Sequence, residues 1–580
     1  MILPSVIATA QICAELGVSR AIVSPGSRNA PLTIAFVRHP DIETYTVSDE
    51  RSAAFIGLGM ARQSRSPVAL ICTSGSAAYN YAPAVAEAFF QQIPLIVFTA
   101  DRPPEWIDQL DGQTIRQRGI YGQHVKAGYE LPIGQIEVDL WYAHRQISEA
   151  IHQTQSYPPG PVHVNVPIRE PFYPTEEEEI TFDSPVKVIH SVTGEVQLPD
   201  TAQQELSEQW NQFKRKIIVV GQSPLEADFA KQLSELSQAQ QIPLITDIIS
   251  NFHSADVGIR YADAFLGKLD DPAQLQPDLL ITFGLSVISK NLKLFLRKHR
   301  PQAHWHIQPN GVAADTFQSL TQVVCANPSV FFQSAKNWQG GQAKGFYSAW
   351  QDKERQATQK ISSFFEFSEA QTSEFYAVAA VLKNLPQPSS LHLANSMAVR
   401  YANLIGLPSH LSDVEVIANR GTSGIDGSNS TAVGTALAAQ DQLHILITGD
   451  LAFFYDRNAF WHNYSLPNLR VILLNNRGGG IFQMIDGPNR QPELDEYFVT
   501  QQRLEAKNTA NDFGLEYYRV DLNQNSAYHE LEQLLPSFLT EDSQHAKLLE
   551  IVSDGQTNTN IFRQFKEGKK EYGKRKTEGI

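Results

Sequence analysis

Residues 444–480 read HILITGDLAFFYDRNAFWHNYSLPNLRVILLNNRGGG. An apolar run, His444 to Thr448, ends on Gly449-Asp450, and a second, Arg470 to Leu474, ends on Asn475-Asn476. Two buried parallel strands of this kind set an Asp carboxylate and an Asn amide oxygen at one edge of a sheet. The carboxyl edge of a parallel sheet is where α/β proteins bind ligands. A carboxylate, an amide oxygen and a nearby backbone carbonyl make an incomplete all-oxygen shell. A hard cation such as Mg²⁺ accepts that, because phosphate oxygens and water complete it. The stretch therefore predicts a metal held through a diphosphate. The plainer alternative is that Gly-Asp and Asn-Asn merely turn the chain after strands.

Outward from this stretch the chain reads as α/β throughout. Strands are predicted at Ala21–Val23, Val68–Cys72, Leu95–Thr99 and Val162–Val166, with helical patterns at Ala53–Gln63 and Ala82–Gln91 between them. Strands alternating with helices imply a parallel sheet. A Pro- and Glu-rich linker runs from Pro167 to about Pro199. A second block has strands at Lys216–Val220, Pro243–Thr246 and Leu279–Phe283, the first and last followed by Gly221 and Gly284, which suit tight strand-to-helix turns. A Gly-rich boundary, Trp338 to Gly345, precedes a third block with strands before Asn419, Gly449 and Asn475 and a later one at Lys547–Val552. The expected organisation is three consecutive doubly wound α/β domains with mainly parallel sheets, at 1–180, 200–340 and 360–555, then a basic, mobile tail at 556–580. The outer blocks are similar in size, without a sequence repeat that would prove duplication.

The 580 residues carry a net charge of −15, which disfavours a nucleic-acid role because that needs a basic face. No apolar run reaches the roughly 18 residues of a membrane span. The N-terminus lacks a basic region ahead of its apolar residues, so no signal peptide is expected. Cys13, Cys72 and Cys325 are far apart and fit neither a disulfide framework nor a zinc pattern. A cytoplasmic location is the simplest expectation.

Several segments are placed for chemistry. Ser24-Pro-Gly-Ser-Arg-Asn29 follows a strand, and its backbone amides with Ser27 and Arg28 could meet an anion. Glu50 opens a helix, where an acid usually just complements the dipole. Thr73-Ser-Gly-Ser76 is a small-residue turn that lets a ligand approach the backbone. Asn419-Arg-Gly-Thr-Ser-Gly-Ile-Asp-Gly427 is a Gly-rich loop. Arg28, Arg102, Arg400 and Arg420 all sit beside strand ends or Gly-rich turns. Arginine grips planar carboxylates with both prongs of its fork, so several such residues suggest a substrate with several carboxylates. Surface salt bridges are the plain alternative for each. There is no G-x-S-x-G, Walker loop, H-E-x-x-H or paired-cysteine motif, which favours a cofactor that carries the hard chemistry. The second block lacks G-x-G-x-x-G, so nucleotide binding there has little support.

Taken together, SPGSRNAPL at 24–32, DERSAAFIGLGMA at 49–61, TSGSAAYN at 73–80, TADRPPE at 99–105, GQTIRQ at 112–117, NSMAVR at 395–400, NRGTSGIDG at 419–427, GDLAFFYDRNA at 449–459 and NNRGGGIF at 475–482 resemble the thiamine-diphosphate-dependent enzymes. Within them the chain is similar to the branch of decarboxylating carboligases in menaquinone (or phylloquinone) biosynthesis. The motifs cover both outer blocks. The general family motif begins Gly-Asp-Gly, whereas Leu451 here matches the Gly-Asp-Leu of that branch. Lys290-Asn291 stands where the branch often has Lys-Arg, and Arg477 stands where it often has Asn.

The resemblance implies decarboxylation of 2-oxoglutarate on thiamine diphosphate and addition of the remaining succinyl-semialdehyde unit to isochorismate. Glu50 would hydrogen-bond the cofactor's aminopyrimidine, and Ile425 would be the apolar wedge that holds the cofactor bent. Asp450, Asn476 and the Gly478 carbonyl would hold Mg²⁺ (or Mn²⁺). Ser74, Gly75, Gly424, Gly449, Leu451, Ile481 and Phe482 would complete the cofactor site. Ser396 and Arg400, one helical turn apart and assisted by Arg420, would face substrate carboxylates; Ser27, Arg28, Arg102, Gln113 and Lys290 would line the isochorismate side. The family further implies a homodimer or homotetramer with active sites between subunits. Alternatives are an acetolactate-synthase-like or 2-oxoacid decarboxylase activity, whose pyruvate-like substrates have no distal carboxylate, and a non-catalytic relative.

Overall fold

The computed structural model describes residues 3–567 except 171, 176, 177, 195, 256, 342 and 368. Its strands form three six-stranded sheets. The first holds Arg20–Val23 (β1), Glu43–Thr46 (β2), Val68–Cys72 (β3), Leu95–Asp101 (β4), Gly128–Glu130 (β5) and Val162–Pro167 (β6), in the order β2-β1-β3-β4-β6-β5. The second holds Lys216–Val220 (β7), Leu244–Thr246 (β8), Gly258–Ile259 (β9), Leu279–Phe283 (β10), Ala303–Gln308 (β11) and Gln322–Cys325 (β12), in the order β12-β11-β10-β7-β8-β9. The third holds Ser389–Leu393 (β13), Val414–Ile417 (β14), Leu443–Gly449 (β15), Leu469–Asn475 (β16), Glu516–Asp521 (β17) and Lys547–Val552 (β18), in the order β14-β13-β15-β16-β18-β17. The ladders are parallel throughout, for example Gly449 opposite Leu474 and Val23 opposite Ile71. The chain adopts the expected class, consecutive α/β domains with parallel sheets.

The first and third sheets share one strand order, 2-1-3-4-6-5, whereas the middle sheet follows the dinucleotide-fold order 3-2-1-4-5-6. In the outer sheets the order reverses between the first and third strands. Open α/β sheets bind ligands in the crevice at such a switch point. Here it lies between β1 and β3 in one sheet and between β13 and β15 in the other, so SPGSRN and TSGS meet at one crevice while Asn395-Ser396 and Gly449-Asp450 meet at the other.

The outer domains share a core. Helix Glu50–Ser64, capped by Asp49 through a bond from the Ser52 amide (3.1 Å), is buried from Ser52 to Ala61. It crosses helix Ser428–Ala438 of the third domain, buried from Ser428 to Leu437. A Cβ on Gly59 would lie 2.2 Å from the Thr431 carbonyl oxygen, and one on Gly434 would lie 2.0 Å from the Ile56 carbonyl oxygen. Glycine at both positions lets the backbones touch. Ala53, Phe55 and Tyr81 then join Val433, Leu446 and Phe453 in one apolar cluster. The middle domain docks on β14, where the Asn251 side chain accepts from the Val416 amide (2.6 Å) and donates to its carbonyl (3.0 Å).

The Pro/Glu-rich linker lies against the first domain, where Phe172, Ile180, Phe182, Val186 and Val188 pack on that domain's core. The tail begins later than expected: Gly555–Glu567 is a helix whose Ile561, Phe562 and Phe565 are buried in the third domain's core, while the expected mobile segment from 568 on lies outside the described residues. No helix among the described residues is long and apolar enough to cross a membrane.

Candidate active site

β15 delivers Asp450 as the first residue of helix Asp450–Tyr455, with Gly449 extended ahead of it. The Asp450 side chain is 2% exposed. It accepts from the Leu451 amide (2.7 Å) and from Gln502 Nε2 (3.0 Å). Burial raises the carboxyl to about 6, against the lowering effect of these donors and the Gly478 and Arg477 amides. No cationic side chain is among the groups acting on it. A buried carboxylate without a counter-charge is costly, so this group suits a bound cation.

Alongside, β16 ends on Asn475, whose side chain donates to Glu550 (2.6 Å) and accepts from Gln502 (3.1 Å) and the Arg477 amide (3.2 Å). Asn476 Oδ1 accepts from the Gly478 amide (3.2 Å). Gly478 is forced by its surroundings, because a Cβ there would lie 2.8 Å from Val499 Cγ1 and 2.9 Å from the Val499 carbonyl oxygen. Val499 closes a π-helical turn, Leu494–Val499, and accepts from the Gly479 amide (2.7 Å). Ile481 and Phe482 open the next short helix, with Phe482 packed on Phe498 (centroids 5.8 Å apart). An Asp carboxylate, an Asn amide and backbone carbonyls on a rigid turn match the oxygen donors a hard divalent cation takes, with positions left for diphosphate and water.

Gln502 and Glu374 were not legible in the sequence. Gln502 bridges Asp450 and Asn475 from an unpatterned stretch. Glu374 is buried, accepts from Ser553 Oγ (3.1 Å) and from the Asn476 side chain, and is raised to about 8 by burial and then by the Asp450 charge.

Next to this end lies a basic cluster. Ser396 has a positive φ of 73° and caps helix Met397–Ile405. Arg400 Nη1 donates to the Ser396 backbone carbonyl (2.5 Å), so the expected pair meets through backbone rather than hydroxyl. Arg420 Nη1 donates to Asn395 Oδ1 (2.7 Å), and its buried Nε has no partner among the described residues. Burial lowers both guanidiniums; Arg420 further lowers Arg400, whereas Glu87 and Asp247 act to raise Arg420. The 419–427 loop also presents Gly424 and the side chain of Ile425, which is 39% exposed. Lys290 is exposed at the start of helix Lys290–Lys298 of the middle domain. Its neighbour Asn291 is tied to the Asp263 carbonyl (2.7 Å).

The first-domain residues gather at their own crevice. The Gly75 amide donates to Gln117 Oε1 (2.8 Å), and the buried hydroxyls of Thr73 and Ser74 lack partners among the described residues. Gln113, also at positive φ, lies against Gly75 through its backbone. Glu50 is half-buried and accepts from Asn80 (3.4 Å). Two arginines are engaged within the first domain and its linker. Arg28 is buried, donates to the Ile168 carbonyl (2.8 Å) and lies over the Phe172 ring (4.4 Å). Arg102 donates to the Gly112 carbonyl (2.8 Å) and pairs with Asp111 (3.3 Å). Ser27 stays exposed. Within this chain the described hydrogen bonds and ion pairs of Glu50, Arg28 and Arg102 all stay inside the first domain and its linker.

The chain is similar along its length to known proteins. Residues 7–121 match the thiamine pyrophosphate enzyme N-terminal TPP binding domain, and residues 191–393 match the middle domain of thiamine pyrophosphate enzymes. A 2-succinyl-5-enolpyruvyl-6-hydroxy-3-cyclohexene-1-carboxylate synthase of Cytophaga hutchinsonii is 46% identical over 96% of this chain and 97% of its own length. Synthases of the same name from Flavobacterium johnsoniae and Bacteroides thetaiotaomicron are 38% and 36% identical, over 96% and 95% of this chain and 97% and 96% of their own lengths. With a thiamine-diphosphate domain at its N-terminus, a buried Asp–Asn edge in its third sheet and full-length similarity to these proteins, the chain belongs to the 2-succinyl-5-enolpyruvyl-6-hydroxy-3-cyclohexene-1-carboxylate synthase family of thiamine-diphosphate-dependent enzymes.

Proposed function

We propose that this protein decarboxylates 2-oxoglutarate and joins the remaining four-carbon unit to isochorismate, giving 2-succinyl-5-enolpyruvyl-6-hydroxy-3-cyclohexene-1-carboxylate in menaquinone or phylloquinone biosynthesis. Thiamine diphosphate, when bound, supplies the electron sink that makes loss of CO₂ feasible. Asp450, Asn476 and the Gly478 carbonyl hold Mg²⁺ or Mn²⁺ and through it the diphosphate. Ser74 and Gly75, with Gly424, Gly449, Leu451, Ile481 and Phe482, shape the rest of the cofactor's bed. Glu50 would hold a proton toward the cofactor's aminopyrimidine, and Ile425 would be the apolar residue packed against the cofactor. Ser27, Arg28, Arg102, Gln113 and Lys290 line the isochorismate side. Arg28 and Arg102 keep guanidinium N–H donors beyond those given to Ile168, Gly112 and Asp111, and these would meet the ligand.

The observation that carries the substrate reading is the pair Arg400 and Arg420. Both are largely buried, they repel each other, and their hydrogen bonds go to the Ser396 carbonyl and the Asn395 amide rather than to carboxylates. Two such cations favour a ligand with a distal carboxylate, which 2-oxoglutarate has and pyruvate lacks. We further propose a cytoplasmic homodimer or homotetramer in which Glu50 of one chain serves the Asp450 end of another. The confinement of Glu50's hydrogen bond to its own domain supports that arrangement.

The test is incubation of purified protein with thiamine diphosphate, Mg²⁺ and 2-oxoglutarate, following CO₂ and product with and without isochorismate. Isochorismate-dependent consumption of 2-oxoglutarate is expected. A preference for pyruvate would transfer the assignment to the acetolactate-like reading.

A further inference from the structure

The loop bearing Arg420 and Ile425 is gripped from another domain. Glu87, on helix Ala82–Gln91 of the first domain, is 1% exposed. Its Oε1 accepts from the Gly421 amide (2.8 Å) and from Gln91 Nε2 (2.6 Å). Its Oε2 accepts from the Thr422 amide (2.6 Å) and the Thr422 hydroxyl (2.5 Å). Four donors on one buried carboxylate form a charge-assisted set, stronger than the same bonds to a neutral acceptor. The approach is close: a Cβ on Gly421 would lie 2.7 Å from the Glu87 carbonyl oxygen and 3.0 Å from Phe90 Cβ.

The rest of the loop is stapled mainly from inside its own domain, with Gln91 Nε2 of the first domain also reaching Asn419 Oδ1 (3.4 Å). Asn395 Nδ2 donates to the carbonyls of Asn419 (2.7 Å) and Gly424 (2.6 Å), and Asn419 Nδ2 donates to Thr431 Oγ1 (2.9 Å). Between those staples, residues 421 and 422 take their described side-chain bonds from Glu87 alone. Arg420 therefore stands between a carbonyl fixed by Asn395 and an amide fixed by Glu87. The grip continues into the middle domain, since Gln222 Nε2 donates to Gln91 Oε1 (3.0 Å) and to the Ala418 carbonyl (3.0 Å). All three domains meet at the base of this loop.

We infer that Glu87 is a positioning residue: its carboxylate, clamped on the amides of Gly421 and Thr422, sets Arg420 against the substrate and Ile425 against the cofactor. The inference rests on the roles proposed above for those two residues. A carboxylate is required because every group facing it is a donor. An amide in its place turns an NH₂ against the backbone N–H of either Gly421 or Thr422, which pushes the loop outward instead of holding it.

The test uses the full-length protein loaded with thiamine diphosphate and Mg²⁺. Glu87→Gln is expected to raise the KM for 2-oxoglutarate, lower kcat, or both, by between about tenfold and 10²-fold per folded molecule, as a misplacement near 1 Å does. Thr422→Val, which removes one donor of the four and keeps the amide, should move the same parameters in the same direction by less. Amide exchange across 419–427, measured without substrate, should accelerate in both variants, most in Glu87→Gln. Wild-type KM and kcat per folded molecule in Glu87→Gln would overturn the inference, whatever its stability. If that variant does not fold, wild-type parameters and exchange in Thr422→Val overturn it instead. Faster loop exchange in a protein that ignores 2-oxoglutarate would leave the clamp intact and sink the substrate reading.

Discussion

Replacing Gly59 by Ala sets two known effects against each other. In the interior of an exposed helix, Ala in place of Gly stabilises by about 1 kcal/mol, because glycine loses more backbone freedom on folding. Here the new methyl would start 2.2 Å from the Thr431 carbonyl oxygen, where ordinary contact begins at 3.4 Å. The obstacle is backbone, so no side chain can rotate away and the two helices must part by about 1 Å in a core packed near crystal density. Overpacking of this kind costs about 1–3 kcal/mol, occasionally more. Packing wins, and the variant should lose up to about 2 kcal/mol net. The displaced helix begins at Glu50, and its partner follows directly on the Ile425 loop, so both ends of the site move. A shift near 1 Å can cost about 10²-fold in rate. Hydrogen exchange resolved over 50–64 and 428–438, with kcat at saturating cofactor, measures both consequences. Unchanged or slower exchange with wild-type kcat would refute the close-contact argument, and Gly434→Ala should behave in the same way.

Three further outcomes are expected. Asp450→Ala should weaken metal and thiamine diphosphate together and recover partly in excess Mg²⁺, while mixing it with Glu50→Gln, itself slowed by about 10²–10⁴, should restore activity after subunit exchange; unchanged cofactor affinity by calorimetry at limiting Mg²⁺ would show the metal site to be misplaced. Arg400→Ala should lose about 1.5–3 kcal/mol of binding to 2-oxoglutarate, roughly 10- to 150-fold in KM, and discriminate less against pyruvate; an unchanged preference between the two acids argues against the distal-carboxylate contact. Glu354, which accepts from the amides of Arg260 (2.9 Å) and Tyr261 (3.1 Å), is raised by burial from 4.5 to about 7. Its folded value lies above its unfolded one, so the stability it contributes is complete below about pH 4.5 and is lost as pH rises through 7. The stability of wild type relative to Glu354→Gln should therefore fall by about 3 kcal/mol across that window; a difference independent of pH would contradict it.

How much of this was legible follows from what each signal depends on. Strands whose runs are apolar or nearly so, such as VALIC at β3, KIIVV at β7 and LLITF at β10, can be read to the residue, because burial on both faces is written into their composition. The edge strands ETYT at β2 and GYE at β5 carry no such run, and they pair because a neighbour offers a ladder. β13 reads SSLHL yet is wholly buried, with His392 taken up by Thr435 (3.0 Å) across the core. That Asp450 and Asn476 follow directly on strands was readable, because each succeeds an apolar run. The directions of Arg28 and Arg102 were not, since Ile168 and Asp111 decide them. Gln502, Glu374 and Glu87 gave no local signal, because each acts on partners distant in sequence.

The Gly59–Thr431 crossing also bears on how the chain is made. Its two halves are separated by the whole middle domain, so the contact is about as non-local as this chain allows. Domains generally fold from the N-terminus during synthesis, at about 5–20 residues per second, so helix Glu50–Ser64 waits roughly 20–75 s for its partner. Throughout that interval Phe55, Ile56 and Gly59, which meet Gly427, Gly434 and Thr431 in the finished protein, belong to a domain whose shared core is unfinished. The first domain is thus born with an unsatisfied apolar face, and the last third of the chain serves as its delayed escort out of the aggregation-prone state.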